Sequence, residues 1–389
     1  MNRSRLVLVF VVVAAVVATI SFGSLSAAAP KLRPPTNLTA AAGVGSVTLH
    51  WTASTSHRVG GYRIYRQNAD GSWPASALAT VGSSVTSYVD GGLTSGTTYS
   101  YRVATIDTAT PAHESAPSNT ASATPKAPSG PCGRTATRPA AYDHVVWIVM
   151  ENKAYASIIG ASSAPYINQL AHQCGSASQF YAVTHPSLAS YIAMTSGSTQ
   201  GITDDNGPAS HPLNVPSIFS QVSSGWRSLQ ESMPSSCFLT NSGLYAVRHD
   251  PAAYYTNIRT ACASLDVPLA STPALTARFT FVTPNLCDDM HDCSIATGDA
   301  WLASFLGKVF SSSQYGAGRT AVFVTWDEDD GSHGNHIATL VAAPSVVPGT
   351  VSSTTFNHYS MLRTTEEMLG LGLLGNATSA ASMRNAFNF

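Results

Sequence analysis

The amino-acid sequence predicts two folded domains: an all-β sandwich followed by a larger α/β domain with a mostly parallel sheet. Three observations lead to this prediction. Short segments of alternating apolar and polar residues fill the stretch Pro34–Pro125. A stretch rich in Pro, Ser and Gly then interrupts that pattern. From Ala140 onward, continuous apolar runs alternate with amphipathic stretches, which is typical of α/β domains.

The N-terminal residues predict export. Arg3 and Arg5 precede the apolar run Leu6–Ile20, and Ala27–Ala29 supplies the small residues that a signal peptidase prefers. The run is shorter than the ~20 residues that a spanning helix needs. We therefore expect Met1–Ala29 to be a removed signal peptide rather than an anchor, and the mature protein to be secreted, with no integral membrane segment.

The composition argues against nucleic acid as a partner and against disorder. The net charge is -1, so the chain lacks the basic field that attracts a polyanion. Charged residues make up only 11% of the chain, and there are 15 tyrosines, 13 phenylalanines and 6 tryptophans. Disordered chains have few aromatic residues and a high net charge.

Six cysteines follow the predicted signal, and an even number in an exported chain favours three disulfides. Other pairings are open, but pairing neighbours in chain order gives Cys132–Cys174, Cys237–Cys262 and Cys287–Cys293. A zinc cluster is the alternative. It is less favoured because the sequence has no CxxC spacing and export is oxidising.

The predicted sandwich spans residues 34–125. Apolar residues alternate in Ser46–Trp51, Tyr62–Arg66 and Tyr99–Val103, as half-buried strands require. The Trp strand, the GYRIYR strand and the tyrosine-containing sixth strand resemble a fibronectin type III domain. Such a domain is a passive spacer or a module that binds a polysaccharide or a cell surface, and both readings stay open. We expect a linker at 126–139 and the second domain at 140–389.

Polar residues follow three apolar runs of the second domain. Glu151 and Asn152 follow the run Val145–Met150, and Thr283 to Asn285 follow the run Phe279–Val282. Asp327 to Asp330 follow the run Ala321–Trp326. Such runs predict parallel strands buried on both faces, and ligands bind at the carboxyl ends of these strands. One acid after a strand is often only a helix cap. Three such strands together favour a functional site.

Histidines occur in the same loops as the acids. They include His185, His249, His291, His333, His336 and His358. A lone histidine usually has a structural role, but imidazoles beside carboxylates in loops favour metal or phosphate binding. The sequence has no Walker loop, no GxGxxG after a strand, no HExxH and no GxSxG. It therefore does not predict a P-loop nucleotide site or a lipase triad.

Six blocks between Tyr142 and Phe389 resemble the phosphoesterase family of acid phosphatases and phospholipases C, within the alkaline-phosphatase-like superfamily. The blocks are VVWIVMENKAYASIIG, THPSLASYIAMTSG, VRHDPAAYY, TPNLCDDMHDCSIATGDAWL, VFVTWDEDDG and NHYSMLRTTEEMLGLGLLGNA. The ENK, THPSL and HDCS blocks are closer to the acid phosphatases. The resemblance implies an alkaline-phosphatase-like three-layer α/β domain that hydrolyses a phosphate ester.

The resemblance also implies roles for individual residues. Glu151, Asn152, Asp327 and Glu328 would bind a divalent metal, which could be Ca, Mg, Mn or Zn. The nucleophile lies in the THPS block, where Thr184 is preferred and Ser187 is the rival. The implied phosphoryl contacts are His249 and His291, and the weaker candidates are His185, Asp289 and His336. Ala189 and Ser190 stand where the family usually has Pro-Asn before the tyrosine; if that Asn contacts phosphate, we expect phosphate affinity or substrate range to differ from the family.

The sequence thus predicts a secreted, metal-dependent phosphoesterase that hydrolyses phosphate monoesters through a hydroxyl nucleophile. A phospholipase C-like phosphodiesterase is the alternative within the family. A non-catalytic surface- or polysaccharide-binding protein is the alternative from another class, and the retained polar residues at the strand ends argue against it.

Overall fold

The structure is a computed structural model that describes residues 31–43, 45–94, 96–126 and 130–389. The predicted signal peptide lies outside the described residues, and so do residues 127–129 of the predicted linker. Within the described part of the chain, no helix combines the length and the apolar character needed to cross a bilayer.

The first domain is a β-sandwich with sheets of strand order β1-β2-β5 and β4-β3-β6-β7. Its strands are β1 (Thr36–Gly43), β2 (Ser46–Thr52), β3 (Val59–Arg66), β4 (Ala79–Gly82), β5 (Ser87–Gly91), β6 (Tyr99–Asp107) and β7 (Ala121–Ala123). Leu49, Trp51, Tyr62, Ile64 and Val103 are buried. In β2 every second side chain is buried, as the alternating pattern predicts, whereas β6 is buried continuously from Val103 to Ile106.

One mixed sheet of order β11-β10-β12-β8-β13-β14-β9-β15 forms the second domain, with β16 also paired to β9. Its strands are β8 (His144–Met150), β9 (Gly175–Tyr181), β10 (Trp226–Gln230), β11 (Asp266–Pro268), β12 (Phe279–Thr283), β13 (Thr320–Trp326), β14 (His336–Ala342), β15 (Thr350–Ser352) and β16 (Phe356–Asn357). Only the pairs β13–β14 and β14–β9 among the described strands of this sheet are antiparallel. The predicted mostly parallel sheet is confirmed.

Helices occupy many of the connections between these strands. They are α1 (Tyr155–Ile158), α2 (Pro165–Gln173), α3 (Ser187–Ser196), α4 (Ile218–Gln221), α5 (Arg259–Leu265), α6 (Ile295–Ser311), α7 (Ser313–Gly316), α8 (His358–Leu369) and α9 (Arg384–Phe387). Short 3-10 helices cover Val247–His249, Pro251–Tyr254, Thr256–Ile258 and Gly375–Thr378. Helices α2 and α6 are among the amphipathic stretches that alternate with the apolar runs.

The centre of the sheet determines where the polar residues emerge. Strand β8 lies between the parallel strands β12 and β13, and Met150 at the end of β8 is paired with Trp326 at the end of β13. All three strands are rich in large apolar residues because both of their faces are buried. The residues that follow β8 and β13 therefore leave the sheet side by side.

The three disulfides predicted from chain order are present. They join Cys132 to Cys174, Cys237 to Cys262 and Cys287 to Cys293. No cysteine in the described residues is free, so the alternative of a cysteine zinc cluster is not supported.

Candidate active site

Backbone hydrogen bonds hold the residues after β8, β12 and β13 together. The Asp327 amide donates to the Met150 carbonyl at 3.0 Å, and the Glu151 amide donates to the Asp289 carbonyl at 2.9 Å. Glu151, Asp289 and Asp327 are all buried. The edge of the sheet thus collects three carboxylates from separate segments of the chain, as the strand pattern predicts.

Ser187 is the first residue of α3 and faces this carboxylate cluster. Its Oγ lies 3.2 Å from Glu151 Oε2 and 3.4 Å from Glu328 Oε1. The hydroxyl of Thr184 instead donates to the His185 carbonyl at 2.9 Å. Of the two predicted nucleophiles, the structure therefore brings Ser187 to the carboxylates and directs the Thr184 hydroxyl to its own backbone.

Several side-chain oxygens in the cluster have the features of metal ligands, among them one of Asn152 and one of Asp327. Asn152 Oδ1 and Asp327 Oδ2 are buried and have no hydrogen-bond partner among the described residues. The Asn152 backbone is left-handed, with φ of 50°, and its amide donates to Asp327 Oδ1 at 3.1 Å. A buried oxygen without a donor is costly, and a cation can satisfy it.

The raised pKa values of the carboxylates in the cluster also favour a bound cation. Burial, followed by repulsion from Asp327 and Asp289, raises the pKa of Glu151 well above its usual value. Burial also raises the pKa of Asp327, and burial together with the Asp327 charge raises the pKa of Glu328 to about 9. Adjacent buried carboxylates repel one another unless a proton or a cation lies between them. Oxygen donors of this type fit Ca²⁺, Mg²⁺ or Mn²⁺.

His249 lies between two of the carboxylates. Its Nε2 is 3.4 Å from Glu151 Oε1 and its Nδ1 is 3.4 Å from Asp289 Oδ2. Burial, and after it the charge of Arg248, lowers the pKa of His249 to about 3, so the ring is neutral. A neutral imidazole can ligate a metal, and the donor atoms of Glu151, His249 and Asp289 all lie within 4.8 Å of one another.

Tyr191 fixes the position of His249 and Glu151. Its ring stacks on His249 with centroids 5.4 Å apart, and its hydroxyl donates a short hydrogen bond to Glu151 Oε1. Tyr191 lies four residues after Ser187 in α3, on the same face of the helix.

His291 lies in a short loop that the Cys287–Cys293 disulfide closes. Its amide donates to Asp289 Oδ1 at 2.7 Å, and its Nδ1 lies 2.7 Å from Asp292 Oδ1. Arg248 Nη2 lies 3.3 Å from the other ring nitrogen, Nε2. With the proton on Nδ1, the Nε2 lone pair of His291 accepts the Arg248 N–H. Burial raises the pKa of the neighbouring Asp289 to about 7.

The two remaining predicted histidines differ in position. His185 is at the cluster, with Nδ1 3.0 Å from Glu328 Oε2 and Nε2 3.4 Å from Asp329 Oδ1. His336 instead stacks between Tyr155 and Tyr181, and its Nε2 contacts the Ser178 carbonyl at 3.0 Å. His336 thus has the contacts of a packing residue, and the structure does not bring it to the cluster.

Three residues of the site are not among those expected from the sequence. They are Tyr191, Arg248 and Asp205, whose Oδ1 accepts the Leu188 amide at 3.0 Å in the first turn of α3. Two of them carried a signal in the sequence. Tyr191 follows the candidate nucleophile by one helical turn, and Arg248 directly precedes His249. Nothing in the sequence near Asp205 relates it to α3.

Comparison with known proteins places the chain in the class of phosphoric ester hydrolases. It belongs to the phosphoesterase family, whose model matches residues 161–372. Residues 33–121 match the fibronectin type III domain, as the strand pattern of the first domain predicts.

Two curated relatives and one solved structure illustrate the similarity. A phosphatidylinositol-3-phosphatase of Mycobacterium tuberculosis is 37% identical over 61% of this chain and 81% of that protein. An acid phosphatase of Aspergillus fumigatus is 27% identical over 62% of this chain, and the chain spans only 58% of its length. A Vibrio parahaemolyticus protein in the alkaline phosphatase superfamily is 12% identical, with a TM-score of 0.44 over 62% of this chain and 71% of that chain.

Proposed function

We propose that the chain is a secreted, metal-dependent hydrolase of phosphate monoesters that uses Ser187 as its nucleophile. The observation that carries this proposal is the position of the Ser187 hydroxyl, within 3.4 Å of both Glu151 and Glu328. A neutral hydroxyl is a weak nucleophile, and an adjacent base activates it. Thr184 becomes the second candidate because its hydroxyl donates to a carbonyl.

Glu151, Asn152, Asp327 and Glu328 are the residues that would hold the metal. The two unpartnered oxygens of Asn152 and Asp327 support this assignment. The oxygen donors favour Ca²⁺, Mg²⁺ or Mn²⁺, whereas participation of His249 would favour Zn²⁺. A bound cation would lower the pKa of the Ser187 hydroxyl and offset the charge of the phosphate.

The side chains of the site supply the remaining chemistry. Ser187 Oγ attacks phosphorus, the bond from phosphorus to the alcohol oxygen breaks, and the serine proton passes to Glu151 or Glu328. Arg248, which His291 Nε2 orients, binds a phosphoryl oxygen, and the departing alcohol oxygen takes up a proton from water. Water then attacks the phosphoserine, which releases phosphate and restores the hydroxyl.

Two further features support the compartment and the substrate class. Three disulfides are typical of proteins outside the reducing cytosol, which agrees with the predicted signal peptide. The name of the Mycobacterium tuberculosis relative supports a lipid phosphate monoester as one candidate substrate. The name of the Aspergillus fumigatus relative supports a broader acid phosphatase activity.

The test compares p-nitrophenyl phosphate with p-nitrophenylphosphorylcholine from acid to alkaline pH, with and without chelator. We expect preferential cleavage of the monoester and its loss when the metal is removed. We also expect Ser187→Ala to lower kcat by at least about a thousandfold, because the nucleophile is lost.

Thr184→Ala is the matched control, and we expect its kcat to stay within a few-fold of the wild type. The reverse ranking of the two variants would return the nucleophile to Thr184. Preference for the choline diester would support the phospholipase C-like alternative. No turnover of either ester with any added divalent metal would leave a binding protein on this scaffold.

A further inference from the structure

We propose that Leu239 and Leu244 form a leucine lip that docks the mouth of the active site onto a lipid surface. The occupant is a membrane that carries a lipid phosphate monoester. This inference rests on the proposed monoesterase function and adds the surface from which the enzyme takes its substrate.

Both residues of the leucine lip project into solvent. Leu239 is 39% exposed and Leu244 is 44% exposed. Among the described residues of the second domain, the other exposed large apolar side chains are Val347 at 59% and Val351 at 63%. A single exposed leucine is ordinary, but exposed leucines at the rim of a catalytic site indicate an interaction surface.

The segment that carries the lip is held in place, so the leucines cannot fold inward. Ser242 and Tyr245 exchange backbone hydrogen bonds of 3.0 and 2.9 Å around a tight turn in which Gly243 has a positive φ of 56°. The Tyr245 hydroxyl donates to the Phe238 carbonyl at 2.8 Å. The Cys237–Cys262 disulfide anchors the beginning of the segment.

The lip is continuous with the mouth of the active site. The Leu244 carbonyl accepts the Leu286 amide at 3.0 Å, and the Leu286 carbonyl accepts the Asp292 amide at 2.7 Å. Asp292 is the partner of His291, and Arg248 lies 3.3 Å from the same histidine. The turn that carries Leu244 therefore adjoins the loop that holds the His291 imidazole and its partner Arg248.

A lipid phosphate monoester matches this arrangement. Its phosphate is an anion for Arg248, and the membrane behind it offers an apolar boundary in which leucine side chains are favourable. A soluble ester would leave the lip in water. A protein partner needs a total interface of about 1,000 Å² or more, which two leucine side chains do not provide.

The experiment uses the full chain and three substrates. They are phosphatidylinositol 3-phosphate in phosphatidylcholine vesicles, its water-soluble short-chain analogue, and p-nitrophenyl phosphate. We expect the double variant Leu239→Ser/Leu244→Ser to lose about tenfold in kcat/KM on vesicles, because less apolar surface enters the membrane. We expect its kcat and KM for both soluble substrates to be unchanged, and its flotation with vesicles to decrease.

Val347→Ser/Val351→Ser is the matched control, because it removes exposed apolar surface outside the lip. Equal losses on vesicles from both double variants would overturn the proposal, and so would equal losses of the lip variant on all three substrates. Wild-type turnover of the soluble substrates without turnover of the vesicle lipid would overturn docking and leave the proposed function standing. Absence of all turnover would overturn the proposed function itself.

Discussion

At the residue scale, the helix geometry of α3 explains why two residues of the THPSLASY block act on the same carboxylate. Ser187 and Tyr191 are one turn apart, and each has its hydroxyl against a different oxygen of Glu151. The motif alone left Thr184 and Ser187 as alternatives because both are hydroxyl residues in one loop. The start of α3 distinguishes them in space: the helix begins at Ser187, and the Ser187 hydroxyl faces the carboxylates.

The first residue-scale prediction concerns the Tyr191 hydroxyl. Tyr191→Phe retains the ring stacked on His249 and removes the hydrogen bond to Glu151. A hydrogen bond to a charged group is worth roughly 1.5–3 kcal/mol, so we expect kcat to fall about 10- to 100-fold. Steady-state kinetics with p-nitrophenyl phosphate measure this change.

Tyr255→Phe is a suitable control for that variant. Tyr255 is also fully buried and bonds to α3, where its hydroxyl lies 2.7 Å from Thr195 Oγ1. We expect Tyr255→Phe to lower thermal stability with little effect on kcat. Similar kcat losses in both variants would show that the tyrosines act through general packing of α3 rather than through Glu151.

At the element scale, the amino-acid composition of the strands predicts the strands of the sheet but not the contacts of the loops. The apolar runs of β8, β12 and β13 can be read from sequence because burial on both faces requires continuous apolar residues. The strand order could not be read, because sequence does not show which parallel strands become neighbours. The position of Asp205 could not be predicted either, since it depends on a contact with the first turn of α3 to which nothing in the sequence points.

The loop between Cys287 and Cys293 gives an element-scale prediction. It holds Asp289 and His291, so opening it should disturb the site more than the fold. Closing a loop with a separation of 6 residues contributes only about 2 kcal/mol to stability, against about 4 kcal/mol for the 42-residue separation of Cys132–Cys174. We expect Cys287→Ser/Cys293→Ser to lower kcat at least about tenfold with a small loss of Tm.

The Cys132→Ser/Cys174→Ser variant should behave in the opposite way, with the larger loss of Tm and the smaller loss of kcat. Thermal unfolding and kinetics on the same preparations test both statements. If the two variants lose kcat in proportion to their loss of Tm, the Cys287–Cys293 loop has no specific role in positioning Asp289 and His291.

At the scale of the whole molecule, buried acids away from the candidate nucleophile make stability depend on pH. Asp250 accepts the Tyr245 hydroxyl at 2.9 Å and the Ser228 hydroxyl at 3.3 Å. Burial raises the pKa of Asp250 to about 6. Burial, and after it the Asp250 charge, raises the pKa of the neighbouring Asp266 well above its usual value. The folded protein therefore holds protons in this pair that the unfolded chain releases.

The sign of the pH effect follows from those raised pKa values. The contribution of protonated Asp250 to the free energy of unfolding is fully present below the aspartate pKa of the unfolded chain, about 4. It is lost as the pH rises through the folded pKa of about 6. Asp266→Asn replaces the proton donor of the pair with an amide that cannot ionise. We expect the wild type to lose more unfolding free energy than this variant between pH 4 and pH 8, measured by urea denaturation with a saturating divalent metal. Parallel losses in the two proteins would mean that the pair does not control the pH dependence of stability.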